Sequence, residues 1–194
     1  MHKVHRVVSS EAEQLILVDT EDRETGYLSK ADAHDGAGQL HRAFSVFLFN
    51  AAGELLLQQR SASKRLWPGF WSNTCCSHPR RGESMQVATG RRLRDELNIE
   101  TPLEFVYKFS YQVEFEDVGS EHELCHVYLG KIEAPVAANA NEIAALRYVS
   151  ADTLAREFDS MPGQFTPWFK LEWRTLLEEH RDAVARYCDI TSLG

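Results

Sequence analysis

The segment 73–79, Asn-Thr-Cys-Cys-Ser-His-Pro, holds the densest group of reactive side chains in the sequence. Thiols and imidazoles can transfer protons, act as nucleophiles or bind divalent metals. Side chains alternate along an extended segment, so we expect Cys76 and His78 on one side and Cys75 on the other. The two neighbouring cysteines are therefore predicted to have different roles.

A second group of reactive side chains consists of imidazoles and carboxylates that could bind a metal ion. Glu121 and Glu123 share one side of a predicted strand. His34 and His41 lie in or beside a glycine-containing stretch that can fold back over a site. With His78, these residues would give Mg²⁺, Mn²⁺ or Zn²⁺ a complete set of three imidazoles and two carboxylates.

A histidine taken singly is also compatible with a solvated or structural role. We keep that interpretation for the histidines that stand apart from these groups, which are His2, His5, His122, His126 and His180. Convergence of the other three in space would indicate a metal centre.

The composition is that of a globular protein, with 194 residues of which 43% are hydrophobic and 26% charged. We predict a single domain over residues 1–194, with an N-terminal extension (about 1–13) and a C-terminal helix (about 167–187). The net charge of -8 argues against general binding to nucleic acids or anionic membranes. An anionic substrate must therefore be held by a few local cations or by a metal ion.

Several features predict a cytoplasmic location. No apolar run approaches the roughly 18 residues of a membrane span, and the N-terminus lacks the regions of a signal peptide. The four cysteines, with no Cys-x-x-Cys pair, predict free thiols in a reducing compartment. We expect a monomer with neither a nucleic-acid nor a membrane partner.

Hydrophobic patterns predict a mixture of strands and helices. The predicted strands span residues 14–18, 44–49, 54–59, 105–115, 123–132 and 146–149. A turn at 50–53 joins two of them in a hairpin. Residues 26–42 are predicted to form an ordered loop, and residues 61–73 a turn-rich segment.

Two helices are predicted, at 83–97 and at about 167–187. Residues 83–97 contain helix formers and almost no β-branched side chains. Thr166 can cap the second helix, and Pro167 is tolerated at its first position. Helices mixed with antiparallel hairpins predict an α/β (α+β) fold, built as an α/β/α sandwich with mixed and antiparallel strands.

Residues 77–99 resemble the Nudix box. Ser77 takes the place of the first glycine, and the matching positions are Glu83, Arg91, Leu93, Glu96 and Ile99. The departures are Arg92, Asp95 and Asn98. Positions 92, 95 and 96 share a helical face on which a hydrolase needs carboxylates to hold metal ions beside a diphosphate. A guanidinium on this face predicts a Nudix-like fold without diphosphate hydrolysis. The alternative is an ordinary surface helix with solvated charges.

Over roughly residues 14–175 the chain resembles the type 1 isopentenyl-diphosphate Δ-isomerases, which are members of the Nudix superfamily. The matching stretches are Leu40-His-Arg-Ala-Phe-Ser45, Gln59-Arg-Ser-Ala-Ser-Lys64, Trp67-Pro-Gly69, Trp71-Ser-Asn73, Cys75-Cys-Ser-His-Pro79, Arg91-Arg92 with Glu96-Leu97, Glu121-His-Glu123 and Thr166-Pro-Trp168. Each stretch alone is a weak signal, but Cys-x-His-Pro with Glu-x-Glu and two upstream histidines is a specific combination.

The resemblance implies an isomerase of isoprenoid biosynthesis that interconverts isopentenyl and dimethylallyl diphosphate. It implies that Cys76 and Glu123 are acid–base groups on opposite sides of the substrate, which protonate the alkene and remove a proton from C2. Tyr111 would form a hydrogen bond near Glu123. Trp168 would face the developing carbocation and stabilise it with its ring.

The resemblance also implies two metal ions and a set of diphosphate ligands. The first ion, Mg²⁺, Mn²⁺ or Zn²⁺, would be bound by His34, His41, His78, Glu121 and Glu123. A second ion, Mg²⁺ arriving with the diphosphate, would use Glu96 and the backbone oxygen of Cys76. The positions that match diphosphate contacts are Lys30, Arg60, Lys64 and Ser77.

Two other functions are compatible with parts of the sequence. A Nudix hydrolase of a nucleoside-diphosphate-linked compound would use the same box, but Arg92 and Asp95 disfavour it. Cys76 and Trp168 would also have no role in such an enzyme. A non-catalytic metal-binding module would keep the fold, but retention of both acid–base groups and all five metal ligands argues against it.

Overall fold

A nine-stranded mixed sheet organises residues 7–191, the part of the chain that the structure, a computed structural model, describes. The strands are β1 (Gln14–Val18), β2 (Glu24–Ser29), β3 (His41–Phe49), β4 (Leu55–Arg60), β5 (Trp71–Ser72), β6 (Cys75–Ser77), β7 (Leu103–Phe115), β8 (Gly119–Lys131) and β9 (Ile143–Val149). The helices are α1 (Lys30–Ala33), α2 (Met85–Leu97), α3 (Ala151–Ser160), α4 (Pro167–Glu179) and α5 (Arg181–Val184), with a 3-10 turn at Pro162–Gln164. His2, His5 and the start of the predicted N-terminal extension lie outside the described residues.

Strand β3 lies at the centre of the sheet. It pairs antiparallel with β6 along one edge and parallel with β8 along the other. Strands β7 and β8 form a long antiparallel hairpin, and β4 pairs antiparallel with β9. One sheet therefore combines parallel and antiparallel pairs, which confirms the prediction of mixed strands.

Alternation along β3 sends its side chains into two separate cores. On one face, Phe47 stacks against Trp173 of α4 with ring centroids 6.2 Å apart. On the other face, Phe44 packs in a second core with Leu93 of α2. Burial of each such side chain stabilises the fold by about 1.5–3 kcal/mol. Helices thus cover both faces of the sheet, and the predicted α/β/α sandwich is confirmed.

Helix α2 has the ends that its sequence favours, but two of its charged side chains are buried. The Ser84 hydroxyl accepts a hydrogen bond from the backbone of the first turn, and Asn98 ends the helix in a left-handed conformation (φ 56°). Arg92 and Glu96 are each only 2% exposed. The alternative of an ordinary surface helix with solvated charges is therefore wrong.

The prediction of a loop over residues 26–42 is wrong at both ends, and strand β3 already begins at His41. This segment contains most of β2, which pairs with β1, and the whole of α1. The hydroxyl of Ser29 caps α1 by accepting a hydrogen bond from the backbone N–H of Asp32. Helix α3 was not predicted. In the part of the chain described, no helix is long and apolar enough to cross a membrane.

The predicted helix at 167–187 is interrupted. Helix α4 ends at Glu179, and His180 leaves the helical conformation (φ -128°) before the short helix α5. The ring of His180 stacks on Tyr107, with centroids 4.7 Å apart, and this long-range contact accompanies the break. Thr166 stands at the N-cap of α4, but its side chain makes no capping hydrogen bond and lies 3.0 Å from the Ser72 hydroxyl instead.

Candidate active site

The strand register brings most of the predicted metal ligands to one end of the central strands. His41, the first residue of β3, lies opposite Glu123 of β8, which in turn lies opposite Tyr111 of β7. Glu121 shares a face of β8 with Glu123 because the two residues are two positions apart. His78 directly follows β6, on the other edge of β3.

The C-cap of α1, His34, completes a group that we call the His/Glu cluster. Its members are His34, His41, His78, Glu121 and Glu123. Their ligand atoms all lie within 4.8 Å of one another, and every member is buried. His34 Nε2 lies 2.8 Å from Glu121 Oε2, and His78 Nε2 lies 2.8 Å from Glu123 Oε1.

The donor set of the His/Glu cluster fits a divalent cation. Nδ1 of His34 lies 2.7 Å from the Lys30 carbonyl oxygen, and Nδ1 of His41 lies 2.7 Å from that of Gln39. Donation of these protons to the carbonyls leaves both Nε2 lone pairs facing the cluster. His41 Nε2 is buried and has no hydrogen-bond partner among the described residues. A shared cation would satisfy such a set of converging acceptors.

The pKa values within the cluster reflect its mixture of imidazoles and carboxylates. Burial lowers the pKa of His34, but the neighbouring Glu121 carboxylate outweighs burial and raises it. Burial and the neighbouring imidazoles hold the pKa of His78 well below its usual range. Burial alone would raise the pKa of Glu123, but His41 and Tyr111 lower it. Glu123 is thus a carboxylate at neutral pH.

A cavity of about 430 Å³ adjoins the cluster and is lined by all four predicted catalytic side chains, Cys76, Glu123, Tyr111 and Trp168. Glu123 and Cys76 stand on the two strands that flank β3. The Tyr111 hydroxyl donates a 2.6 Å hydrogen bond to Glu123 Oε2. Trp168 packs edge-on against Trp67, with ring centroids 5.1 Å apart.

The two neighbouring cysteines face different parts of the molecule, as alternation predicts. Cys75 is fully buried in the second core, with its Sγ 3.7 Å from Glu96 Oε1. Cys76 lines the cavity, and its Sγ lies 3.9 Å from the guanidinium of Arg60. Burial raises the pKa of Cys76 to about 12, so this thiol is protonated at neutral pH.

The structure also places the predicted diphosphate ligands, Lys30, Arg60, Lys64 and Ser77, on the cavity wall. Lys30 is paired with Glu11 at 3.1 Å and Lys64 with Glu142, whereas Arg60 donates to the backbone carbonyls of residues 66 and 67. The cavity therefore joins a carboxylate-rich end to a cation-rich end.

Four charged residues that line the cavity were not predicted from the sequence: Glu11, Arg65, Arg92 and Glu142. Arg92 was noted as a departure from the Nudix box and within the Arg91-Arg92 stretch of the family resemblance, but not as a residue of the cavity. Glu142 lies just before β9, where no periodic pattern marks it. Glu96 is paired with Arg92 and is not part of the His/Glu cluster.

A family model and a solved structure both match this chain. The NUDIX domain model matches residues 39–169. The chain is also similar to a solved structure from Deinococcus radiodurans, with a TM-score of 0.64 and 24% sequence identity over 77% of this chain and 90% of that one. Both comparisons give the Nudix fold.

Curated relatives narrow the class to one family. The chain is 43% identical over 175 residues to isopentenyl-diphosphate Delta-isomerase 1 of Photorhabdus laumondii, covering 89% of this chain and 99% of the relative. It is 45% identical over 157 residues to isopentenyl-diphosphate Delta-isomerase of Burkholderia multivorans, covering 81% and 89%. The chain belongs to the isopentenyl-diphosphate Delta-isomerase family.

Proposed function

We propose that this protein interconverts isopentenyl diphosphate and dimethylallyl diphosphate, in the cytoplasm and as a monomer. The observation that carries the proposal is that Cys76 and Glu123 line the same cavity, from the two different strands that flank β3. Moving a double bond requires one group that protonates the alkene and another that removes a proton from C2. Diphosphate hydrolysis would have no use for such a pair.

The protonation states of Cys76 and Glu123 suit this reaction. The thiol of Cys76, whose pKa is raised by burial to about 12, holds a proton, whereas Glu123 is a carboxylate. The pair thus carries one proton and offers one acid and one base. The hydroxyl of Tyr111 orients Glu123 through its hydrogen bond. Such a pair typically contributes about 10²–10⁴-fold per group to the rate.

We assign to Trp168 the stabilisation of the positive charge that develops during the reaction. Its side chain is buried at the cavity wall, and the Arg60 guanidinium lies 5.2 Å from its ring centroid. An aromatic face attracts a cation without supplying a nucleophile that could trap it. The ring can therefore stabilise a tertiary carbocation between the two proton transfers.

The cation-rich end of the cavity would bind the diphosphate. The residues that we assign to this role are Lys30, Arg60, Lys64 and Ser77. Three cations and a hydroxyl can hold the diphosphate locally although the whole chain carries a net charge of -8. The hydrocarbon end of the substrate would then extend towards Cys76, Glu123 and Trp168.

The His/Glu cluster would hold the first divalent ion, Mg²⁺, Mn²⁺ or Zn²⁺, through His34, His41, His78, Glu121 and Glu123. Glu96 and the backbone oxygen of Cys76 would serve a second Mg²⁺ that binds with the diphosphate. A bound divalent ion supplies positive charge that fixes a carboxylate and acidifies a nearby proton donor. The two histidine–carbonyl hydrogen bonds orient the imidazoles for this task.

A product assay tests the proposal. The protein is incubated with isopentenyl diphosphate and Mg²⁺, and both dimethylallyl diphosphate and released phosphate are measured. We expect the isomer without phosphate. Release of phosphate or of a monophosphate would favour the hydrolase. The pairing of Arg92 with Glu96 on α2 disfavours that function.

A further inference from the structure

Glu142 is an unexpected residue at the cation-rich end of the cavity. Its side chain lines the cavity and is only 4% exposed. A buried carboxylate beside a bound diphosphate repels it, and low local polarity makes the repulsion stronger than in water. The position of Glu142 therefore needs a compensating role.

The contacts of Glu142 join two walls of the cavity. Its Oε2 accepts a hydrogen bond from Lys64 Nζ, which belongs to the turn after β4. The same oxygen accepts a 3.2 Å hydrogen bond from the guanidinium of Arg92 on α2. One carboxylate oxygen thus holds two cations from separate elements next to each other.

The backbone around Glu142 fixes this carboxylate in place. The Glu142 carbonyl accepts a 3.0 Å hydrogen bond from the Ser61 N–H, on the Lys64 side of the cavity. The Asn139 N–H donates a 2.8 Å hydrogen bond to the Glu96 carbonyl, on the α2 side. The Glu142 N–H in turn donates to the Asn139 carbonyl at 3.0 Å. The loop therefore anchors the carboxylate to both walls.

The charge of Lys64 depends on this arrangement. The pKa of Lys64 lies below its usual value, chiefly because of burial; the carboxylates of Glu142 and Glu96 raise it, and the guanidiniums of Arg60 and Arg92 lower it further. Glu96 is already paired with Arg92. Without Glu142, the Lys64 ammonium would face two guanidiniums and no carboxylate of its own.

We propose that Glu142 is a positioning residue of the anion site, which keeps the buried Lys64 ammonium charged and fixed beside Arg92 before the diphosphate arrives. The proposal rests on the proposed function, because it assigns the cation-rich end to a diphosphate. A carboxylate is useful in this anion-binding cavity because it preserves the charge of Lys64, which the anion contacts.

The test compares Glu142→Gln with the unmodified protein, because glutamine keeps the shape and a hydrogen-bond acceptor but removes the charge. The Kd of inorganic pyrophosphate is measured in Mg²⁺ buffer by calorimetry between pH 6.5 and 8.5. As the pH rises from 6.5 to 8.5, the affinity of the variant should fall about 5-fold more than that of the unmodified protein. The reason is that pyrophosphate binding to the variant must also protonate Lys64. Calorimetry in two buffers should show extra proton uptake in the variant.

Three control variants isolate the role of Lys64. In Lys64→Met with Glu142→Gln, the pH dependence should match that of Lys64→Met alone. Glu142→Asp retains the charge and should keep the unmodified pH profile even if affinity falls. Glu11→Gln removes the carboxylate that pairs with Lys30. Because the Glu11 side chain is 52% exposed, this change should leave the pH profile unchanged. Thermal melting verifies that each variant folds.

The outcomes separate this inference from the proposed function. Parallel pH profiles for Glu142→Gln and the unmodified protein, or a steepened profile in Glu142→Asp, overturn the inference and leave isomerisation untouched. The expected profiles in a protein that does not isomerise its substrate support the inference and overturn the proposed function. No binding of pyrophosphate by the unmodified protein overturns both.

Discussion

Glu123 and Glu172 are buried on the same face of the sheet, but their surroundings differ. Glu123 receives hydrogen bonds from Tyr111 and His78, and its pKa lies below its usual value. Glu172, on α4, lies 3.4 Å from the Cys125 thiol, and its Oε2 has no hydrogen-bond partner in residues 7–191. Burial raises the pKa of Glu172 to about 8.

The difference between these regions shows what keeps a buried carboxylate charged. Burial alone favours the protonated form, as at Glu172, and only specific donors and cations reverse that preference, as at Glu123. A cluster of buried charges with unmatched acceptors is costly for a fold. The His/Glu cluster is therefore best understood as a site whose cost is offset by a bound cation.

The largest expected effect comes from removing a ligand of the His/Glu cluster. His41→Ala and His78→Ala should abolish isomerisation and weaken divalent-ion binding, measured by activity and by metal content. His126→Ala is the matched control, since His126 also lies on the sheet but pairs with Asp22, and it should remain active. A chelator should inactivate the unmodified protein, and a re-added divalent ion should restore it. Full activity in a metal-free sample would contradict the proposed site.

The adjacent cysteines provide the next comparison. Cys76→Ala should lower kcat by about 10²–10⁴-fold because it removes an acid–base group. Cys75→Ala should keep most of the activity and lose only packing energy in the second core. Glu123→Gln should also be inactive, since it removes both a proton-transfer group and a metal ligand. An inactive Cys75→Ala variant together with an active Cys76→Ala variant would overturn the assigned roles.

Alkylation of Cys76 measures how readily its thiol ionises. Reaction requires the thiolate, and the pKa of about 12 leaves only a small thiolate fraction at neutral pH. The inactivation rate should therefore rise about tenfold per pH unit between pH 7 and 10, and substrate should protect. Cys75→Ala should behave identically in this assay. A rate that levels off near pH 8 would show that the thiol is far more acidic than its burial implies.

The smallest expected effect is on the pH dependence of stability, and it comes from Glu172. The folded protein keeps a proton on Glu172 up to about pH 8, whereas the unfolded chain releases it near the ordinary value of 4.5. The free energy of unfolding should therefore fall as pH rises from 4.5 to 8, by about 1 kcal/mol per pH unit from this group. Glu172→Gln should flatten that slope in denaturant titrations. Equal slopes for both proteins would mean that Glu172 is ionised in the folded state.

The sequence predicts local features of the site better than distant ones. The opposite orientations of Cys75 and Cys76, and the shared face of Glu121 and Glu123, follow from the two-residue period of a strand. Convergence of the three histidines depends on β3 pairing with both β6 and β8, and only the family resemblance indicated it.

Features set by long-range contacts were missed. The break at His180 accompanies stacking on Tyr107, more than 70 positions earlier in the chain. Glu142 acts across the cavity from a loop with no pattern of its own. Such contacts arise from tertiary packing, which overrides local preference.

Proton transfer to and from an intact diphosphate can be followed by NMR in D₂O. Isopentenyl diphosphate is incubated with the protein and Mg²⁺, with Cys76→Ala and Glu123→Gln as controls. We expect the unmodified protein to form dimethylallyl diphosphate with deuterium in a methyl group and to release no phosphate. We expect no such product from either variant. Release of phosphate, or an isomer that contains no solvent deuterium, would contradict the proposed function.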